Sequence, residues 1–492
     1  MRTLVWFRSD LRVAENDALY YARSKADAGV VAVFTICPEQ WREHDWGTMK
    51  VDFIRRSLIE LQKSLAELNI PLKIVVEPRF DGVAEAIVKL ADETGCDELH
   101  FGREYEVNER ARDEAVVDAF ENAGKTAVGH TNKVLFQPGD VRTQEGKWYS
   151  VFTPFKKRLY KLWEGGEAPE LLPVPKPCEA MAVEGDRVPD PKEWKAWGYD
   201  FGEEHATRPD LWPGGEDHAM KRFNGFVEST IRDYKDLRDS PATAGTSTLS
   251  PYLAMGCISP RQVVFACLEA NKHEFWKGSK GITHYISEIV WREFYQHILV
   301  GFPRVCKHRN FNSDYDQLRW DTNDDYFAAW CDGRTGVPIV DAAMRQLNTT
   351  GWMHNRCRMI VAMYLTKNLL LDWRLGERYF MQRLVDGDLA SNNGGWQWSS
   401  STGTDAAPYF RVYNPISQSE RHDPEGAYIR KFVPELAELD AKQIHDPHER
   451  AGDGLFGKLD YPEPIVDLKS TRERAIEVFK AYRAQDEETR VI

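Results

Sequence analysis

Leu4-Val-Trp-Phe7, running directly into Arg8-Ser-Asp-Leu-Arg12, and then Val30-Val-Ala-Val-Phe-Thr-Ile36 decide the reading of the fold. Both apolar runs are short, rich in β-branched and aromatic residues and flanked by polar segments, which is the pattern of strands. Leu72–Val76 and Glu98–Phe101 repeat it, with amphipathic segments at Val51–Leu68 and Gly82–Glu93 between them. Strands alternating with helices predict a Rossmann-like parallel sheet covered by helices and ending near Phe136. Ligands of such sheets sit beyond the strand carboxyl ends, so Arg8, Asp10 and Arg12 either meet a ligand or form structural ion pairs at the loop. Neither a G-x-G-x-x-G fingerprint nor a Walker sequence is present.

From about Leu171 to Gly215 the composition turns to proline, glycine and charge, as in Leu171-Leu-Pro-Val-Pro-Lys-Pro-Cys178. So long an extended segment is foreign to a compact domain and places a boundary there. Beyond Asp217 the pattern is helical almost throughout, with Ser250-Pro251 and Ser259-Pro260 each reading as N-cap plus first helical residue. The expected organisation is an α/β domain over 1–136, a linker over 137–216 and an all-α domain over 217–492.

The 492 residues include 16 tryptophans and carry a formal net charge of −13. That charge opposes whole-protein attraction to polyanions but leaves local nucleic-acid binding open, because binding depends on the field of one face. Eight scattered cysteines without a C-x-x-C pair speak against a zinc ribbon, an iron–sulfur cluster or a disulfide framework, and fit a reduced cytoplasm. Charges at Arg8 and Asp10 arrive before a signal peptide could form, and the longest apolar run, Met359 to Leu365, is far short of a membrane span.

Asp386 to Arg411 crowds Asp386, Asp388, Asn392 and Asn393 beside Gly394-Gly395, Trp396 and Trp398. Glycines admit close backbone approach and the polar groups offer hydrogen bonds of both polarities, which predicts a pocket for a flat, polar-edged aromatic ligand. Asp386-x-Asp388 reads as a metal pair or, lacking a third ligand, as carboxylates accepting hydrogen bonds from a ligand or a helix N-terminus. Gly245-Thr-Ser-Thr-Leu-Ser250 stands before a helix and is either an anion site or simple capping chemistry. Glu288, Trp291 and Arg292 share a helix face, directed at a cavity or joined by an intrahelical Glu288–Arg292 pair. In Gly351-Trp-Met-His-Asn-Arg-Cys-Arg-Met359, Asn355 and Met359 are one turn apart, and His354 reads as a packed or hydrogen-bonded histidine.

Taken together with Glu106-Val-Asn-Glu-Arg-Ala-Arg112, Trp291-Arg-Glu-Phe-Tyr295 and Gly336-Val-Pro-Ile-Val-Asp-Ala-Ala-Met-Arg345, these segments closely resemble the DNA photolyase/cryptochrome family across essentially the whole chain. The bacterial class I cyclobutane pyrimidine dimer photolyases are the nearest group. The resemblance implies FAD, working as FADH⁻, in the helical domain. Tyr234, Thr246, Thr248 and Ser250 would surround its phosphates and ribityl chain. Arg292, Asn355, Arg358, Asp386 and Asp388 would line the rest of it, with Asn392 near flavin N5. It further implies a lesion pocket of Glu288, Met359, Asn355, Trp291 and Trp398, and DNA contacts from Arg238, Arg356 and Arg411. Trp396, Trp373 and Trp320 match an electron-transfer chain. His44, Asn108, Glu109, Cys306 and Lys307 match the site of an antenna, 5,10-methenyltetrahydrofolate, with a deazaflavin-type pigment or no pigment as the other possibilities.

The implied reaction is light-driven repair of the dimer in UV-damaged DNA. The implied enzyme is a cytoplasmic monomer with no metal and no obligate protein partner. A (6-4) photolyase would carry a pair of histidines where this chain has Asn355 and Met359. A cryptochrome-type blue-light photoreceptor is the alternative of a different class. A dark flavin oxidoreductase is disfavoured by the missing nicotinamide fingerprint.

Overall fold

The computed structural model describes residues 1–450 and 459–490. Five strands form one all-parallel sheet in the order β3-β2-β1-β4-β5. They are β1 (Thr3–Phe7), β2 (Val30–Ile36), β3 (Leu72–Val76), β4 (Glu98–Gly102) and β5 (Thr126–His130). β1 and β2 are buried along their whole length, which is why their sequences show no alternation. Helices Asp17–Lys25, Thr48–Glu67, Val83–Thr94 and Val107–Asn122 connect and cover the strands. The α/β expectation holds, and β5 is an addition that the sequence pattern did not reveal.

The chain divides into two compact units, the first made of Met1–Arg232, Ser247–Pro303 and Val385–Leu389, the second of Asp233–Thr246, Arg304–Leu384 and Ala390–Ile492. The first unit holds the sheet and, in addition, helices Phe152–Leu162, Glu216–Ser229, Pro260–Ala270 and Lys280–Gly301. Phe152–Leu162 lies inside the stretch expected to be linker. Ser259 caps its helix as expected, its Oγ accepting from the Gln262 amide at 3.0 Å. Ser250 does not cap: it is the first residue of a five-residue helix whose cap position is Leu249, so the reading there is off by one.

The loop after β1 resolves in favour of ion pairs. Arg8 lies 3.1 Å from Asp113, and Arg12 reaches Glu15 at 3.2 Å while donating to the carbonyls of Glu15, Asn132 and Gly256. Asp10 accepts from the Arg8 amide and from Asn132. Gly256 has φ +63°, and a Cβ there would collide with the Ser9 carbonyl, so only glycine lets the two segments pass.

The second unit is helical, with one isolated parallel bridge, Asp321 to Leu371. Its core gathers Trp330, Leu347, Ile360, Trp373, Phe380 and Trp396. Asp341 ties the turn before helix Pro338–Thr350, accepting from the Thr335 amide at 2.7 Å, the Thr335 hydroxyl at 2.6 Å, the Gly336 amide and Tyr461. Burial raises the pKa of its carboxyl in spite of these donors. Among the described residues no helix is long and apolar enough to cross a membrane.

Candidate functional site

In the first unit, helix Lys280–Gly301 presents Glu288, Trp291 and Arg292. Trp291 is stacked on Phe152 with centroids 3.6 Å apart and planes 9° apart, which fixes the indole against a second ring. One turn along the same partner helix, Lys156 donates to Ser287 Oγ at 3.3 Å. Burial lowers the pKa of Lys156 and the Glu288 carboxylate opposes that shift. Glu288 also lies 3.6 Å from His284. Arg292 donates to the carbonyls of Lys133 at 2.8 Å and Leu253 at 3.3 Å. Phe152 and Lys156 are functional candidates that the motif reading missed; their one-turn spacing in Phe152-Thr-Pro-Phe-Lys156 was the available signal.

Asp386 and Asp388 are buried in the same unit. Asp388 accepts from Gln296 at 3.2 Å and lies 3.8 Å from Lys133, whose ammonium is held charged by Glu106 and Asp388 against the cost of burial. No cluster of three metal-ligating side chains occurs among the described residues, so Asp386-x-Asp388 reads as a hydrogen-bonding pair. Thr248 adopts φ +49°, and its Oγ1 accepts from the Arg222 guanidinium at 2.5 Å. Ser247 Oγ meets Tyr285 OH at 2.9 Å, close to Ser250 in the chain. A cation beside hydroxyls suits an anion better than capping alone does. Arg222, far away in sequence, is another residue the motif reading missed.

In the second unit Tyr234 is buried and Arg238 lies over its ring at 5.5 Å. Thr246 follows Gly245, where a Cβ would come within 2.6 Å of Leu237. Arg356 donates to Asp239 at 2.8 Å, and Arg238 is 3.9 Å from the same carboxylate. Helix Asn355–Met363 begins after His354, whose Nδ1 accepts from the Arg356 amide at 3.1 Å. Burial pushes that imidazole down to about 4, which makes it a neutral cap, as a hydrogen-bonded histidine should be. Asn355 is exposed, Met359 half-buried, and Arg358 donates to the Met353 carbonyl at 2.8 Å.

The glycine-rich stretch is a helix, Leu389–Ser400, despite Gly394-Gly395. Asn392 donates its Nδ2 to the Glu377 carbonyl at 2.9 Å, and the Glu377 carboxylate accepts from Asn393 at 2.8 Å and lies 3.0 Å from His308. Glu377 is a fourth contributor absent from the motif reading. Trp396 is buried against Phe380 and Trp330, with centroids 5.0 and 6.0 Å away, and its ring lies across Gly376, where a Cβ would fall within the indole. Gly376 belongs to helix Trp373–Arg383, whose first residue, Trp373, is fully buried and donates to Asn310 at 3.0 Å. Trp320 packs on Phe479 at 6.1 Å, next to the Asp321–Leu371 bridge. Trp398 is half-buried and Arg411 exposed.

Of the proposed antenna residues, three meet in the first unit: His44 Nδ1 is 3.2 Å from Glu109, and His44 Nε2 is 3.0 Å from Asn108. Cys306 and Lys307 occupy the short turn Val305–Lys307 of the second unit.

The residues present fit FAD in kind: Arg222 with its hydroxyl neighbours suits a diphosphate, and buried carboxylates suit ring and sugar donors. Asn392, with Nδ2 committed to a backbone carbonyl, has Oδ1 as its acceptor end.

A parallel sheet, a helical unit with a tryptophan core and polar groups suited to a diphosphate and a flat ring fit a flavin-binding protein. Residues 3–177 match the family described as DNA photolyase, and residues 285–481 match the FAD binding domain of DNA photolyase. The chain belongs to the DNA photolyase family. It is 42% identical to the deoxyribodipyrimidine photo-lyase of Escherichia coli, with 98% of each chain covered. The corresponding enzyme of Vibrio cholerae is 41% identical, with 98% of this chain and 99% of that one covered. Among solved structures, a bacterial class III photolyase from Agrobacterium tumefaciens superposes with TM-score 0.86 at 35% identity, covering 98% of both chains. A Synechocystis cryptochrome superposes with TM-score 0.84 at 27% identity, covering 97% of this chain and 99% of that one.

Proposed function

We propose that this chain is a deoxyribodipyrimidine photo-lyase that repairs cyclobutane pyrimidine dimers in UV-damaged DNA with the energy of light. The observation that carries this reading is the 42% identity to the Escherichia coli deoxyribodipyrimidine photo-lyase over 98% of both chains. Reduced FAD, when bound and excited, supplies an electron that splits the two carbon–carbon bonds of the cyclobutane ring and is then returned, so no net redox change results.

Tyr234, Thr246, Thr248 and Ser250 hold the phosphates and ribityl chain, and Arg292, Asn355, Arg358, Asp386 and Asp388 hold the rest of the cofactor. Asn392 offers Oδ1 to the N–H at flavin N5, its other end being tied to Glu377. Photolyases take their target out of the duplex stack, and Trp291 and Trp398 are the rings proposed to receive it. The Phe152 stack keeps Trp291 in one orientation, so less order is imposed when the dimer arrives. Glu288 is the hydrogen-bond partner proposed for the thymine edge, and Asn355 and Met359 are proposed to meet the lesion. Arg238, Arg356 and Arg411 contact DNA phosphates, with Asp239 orienting the first two. Trp396, Trp373 and Trp320 relay electrons during photoreduction.

His44, Asn108, Glu109, Cys306 and Lys307 hold a methenyltetrahydrofolate antenna; the hydrogen-bonded His44, Asn108 and Glu109 supply the polar contacts a pterin edge needs. The proposed organisation is an α/β domain over 1–136, a linker over 137–216 and a helical FAD-binding domain over 217–492, and the enzyme acts as a cytoplasmic monomer. The cryptochrome reading has the Synechocystis structure in its favour, but at 27% identity against 42% for the repair enzyme. Reduced enzyme incubated with UV-treated DNA is expected to remove thymine dimers under blue light and not in darkness. Equal removal in both, or none in either, defeats the proposal.

A further inference from the structure

We infer that Lys50 is a positioning residue for the flavin, holding Gly387 in place and, with it, Asp386 and Asp388 on either side; the inference rests on the proposal that these two aspartates face FAD. Lys50 lies in the first turn of helix Thr48–Glu67, is 3% exposed, and donates from Nζ to the Gly387 carbonyl at 2.8 Å. The ammonium sits 3.5 Å above the Trp46 ring. A side chain of the N-terminal sheet region thereby pins a five-residue segment, Val385–Leu389, that lies 337 residues further along at its contact point and packs in the same unit.

Burying an amine is costly, and an apolar side chain of similar length would fill the space without that cost. What the amine adds is a directed hydrogen bond, strengthened when charged, to the backbone carbonyl of Gly387, the residue between the two aspartates. The charged groups around it come from four places: Lys133 after β5, Asp388 on the pinned segment itself, Glu106 at the start of helix Val107–Asn122, and Glu104 after β4. Burial first, and then Lys133, bring Lys50 down to about 7, while the three carboxylates work to keep it charged. The amine therefore carries its proton in mildly acidic solution and sheds it in mildly alkaline solution. FAD brings a negatively charged diphosphate, so a cation under this segment favours its retention. As pH rises through about 7, loss of the Lys50 proton weakens the Gly387 bond and removes that charge, so FAD is held less tightly.

The test is the rate at which FAD leaves the diluted holoenzyme, read from free-flavin fluorescence between about pH 6 and about pH 8.5, a window spanning the Lys50 titration. Wild-type release is expected to quicken severalfold across the window. Lys50→Met is expected to release FAD about tenfold faster than wild type at the acidic end and to show a flat profile. Lys50→Arg keeps a charge throughout and is expected to be slow and flat. A Lys50→Met variant with wild-type rate and profile overturns the inference; should that variant not fold, a wild-type profile in Lys50→Arg overturns it instead. Asp386→Asn and Asp388→Asn separate the two levels. Unchanged release in both variants defeats the aspartate reading itself, whereas accelerated release there with Lys50 silent defeats only the role of Lys50.

Discussion

At the carboxyl end of the sheet, Arg8, Arg12, Glu15, Glu104 and Arg112 are buried as ions, each with its partner, and Arg112, Arg8 and Lys133 together hold Glu104 well below the usual carboxylate range although burial pulls the other way. Around Trp330 in the helical unit the buried volume belongs to rings, with the Phe380 and Trp396 centroids 6.1 and 6.0 Å away and Trp373 in the same core. The two regions fail differently when disturbed. Removing one buried ion strands another, whereas trimming a ring costs contacts and leaves a gap. They also suit different work: fixed charges define positions, and a ring-lined interior of low dielectric suits the electron relay proposed for Trp396 and Trp373.

The largest effect expected from breaking this contrast is on the ionic side. Arg12→Met leaves Glu15 without its main partner and three carbonyls without a donor, and should cost about 3–5 kcal/mol in denaturant unfolding. A loss below about 1 kcal/mol would place this arginine with surface pairs and erase the distinction. On the aromatic side, Trp396→Phe should slow photoreduction of oxidised flavin about tenfold or more, a barrier change of little over 1 kcal/mol, while repair by pre-reduced enzyme persists. If both activities vanish together, Trp396 is a structural residue and the ring core has no relay to perform. The smallest effect concerns a contact linking the two kinds of design, since Phe152 faces a ring while Lys156, one turn on, faces a carboxylate. Phe152→Ala should weaken binding of dimer-containing DNA in the dark about two- to tenfold, the worth of one aromatic pair, with unmodified DNA bound as before. Equal loss for both DNAs would show that the stack supports the fold rather than the pocket.

Four of the five strands were legible because each carries aliphatic or aromatic side chains at successive or alternate positions. β5, Thr126-Ala-Val-Gly-His130, escaped because it is an edge strand with only two aliphatic side chains and a glycine, too little for a periodicity. Single residues such as Glu288 and Asn392 could be singled out from local motifs. Their supports were harder to read: the spacing of Phe152 and Lys156 marks a helix face, but that Phe152 meets Trp291, Arg222 meets Thr248 and Glu377 meets Asn392 is set only by the tertiary fold. The helix through Gly394-Gly395 is a related case. Its propensity is poor, but packing of Asn392, Asn393, Trp396 and Gln397 outweighs two glycines worth about 1 kcal/mol each. The capping error at Ser250 has the same origin, since the turn there is set by Thr248 in a left-handed conformation that no local preference predicts.

The ring of Trp396 resting on Gly376 makes position 376 a silent bottleneck for change. Alanine, the mildest replacement available, would place a methyl group where the indole now lies and force either the ring or its helix aside. In a library screened for growth after ultraviolet exposure and room light, 376 should therefore look as intolerant as a position in the lesion pocket, although a hydrogen atom there touches neither flavin nor DNA. Intolerance at 376 would then report how tightly the ring core is packed and not where the chemistry takes place.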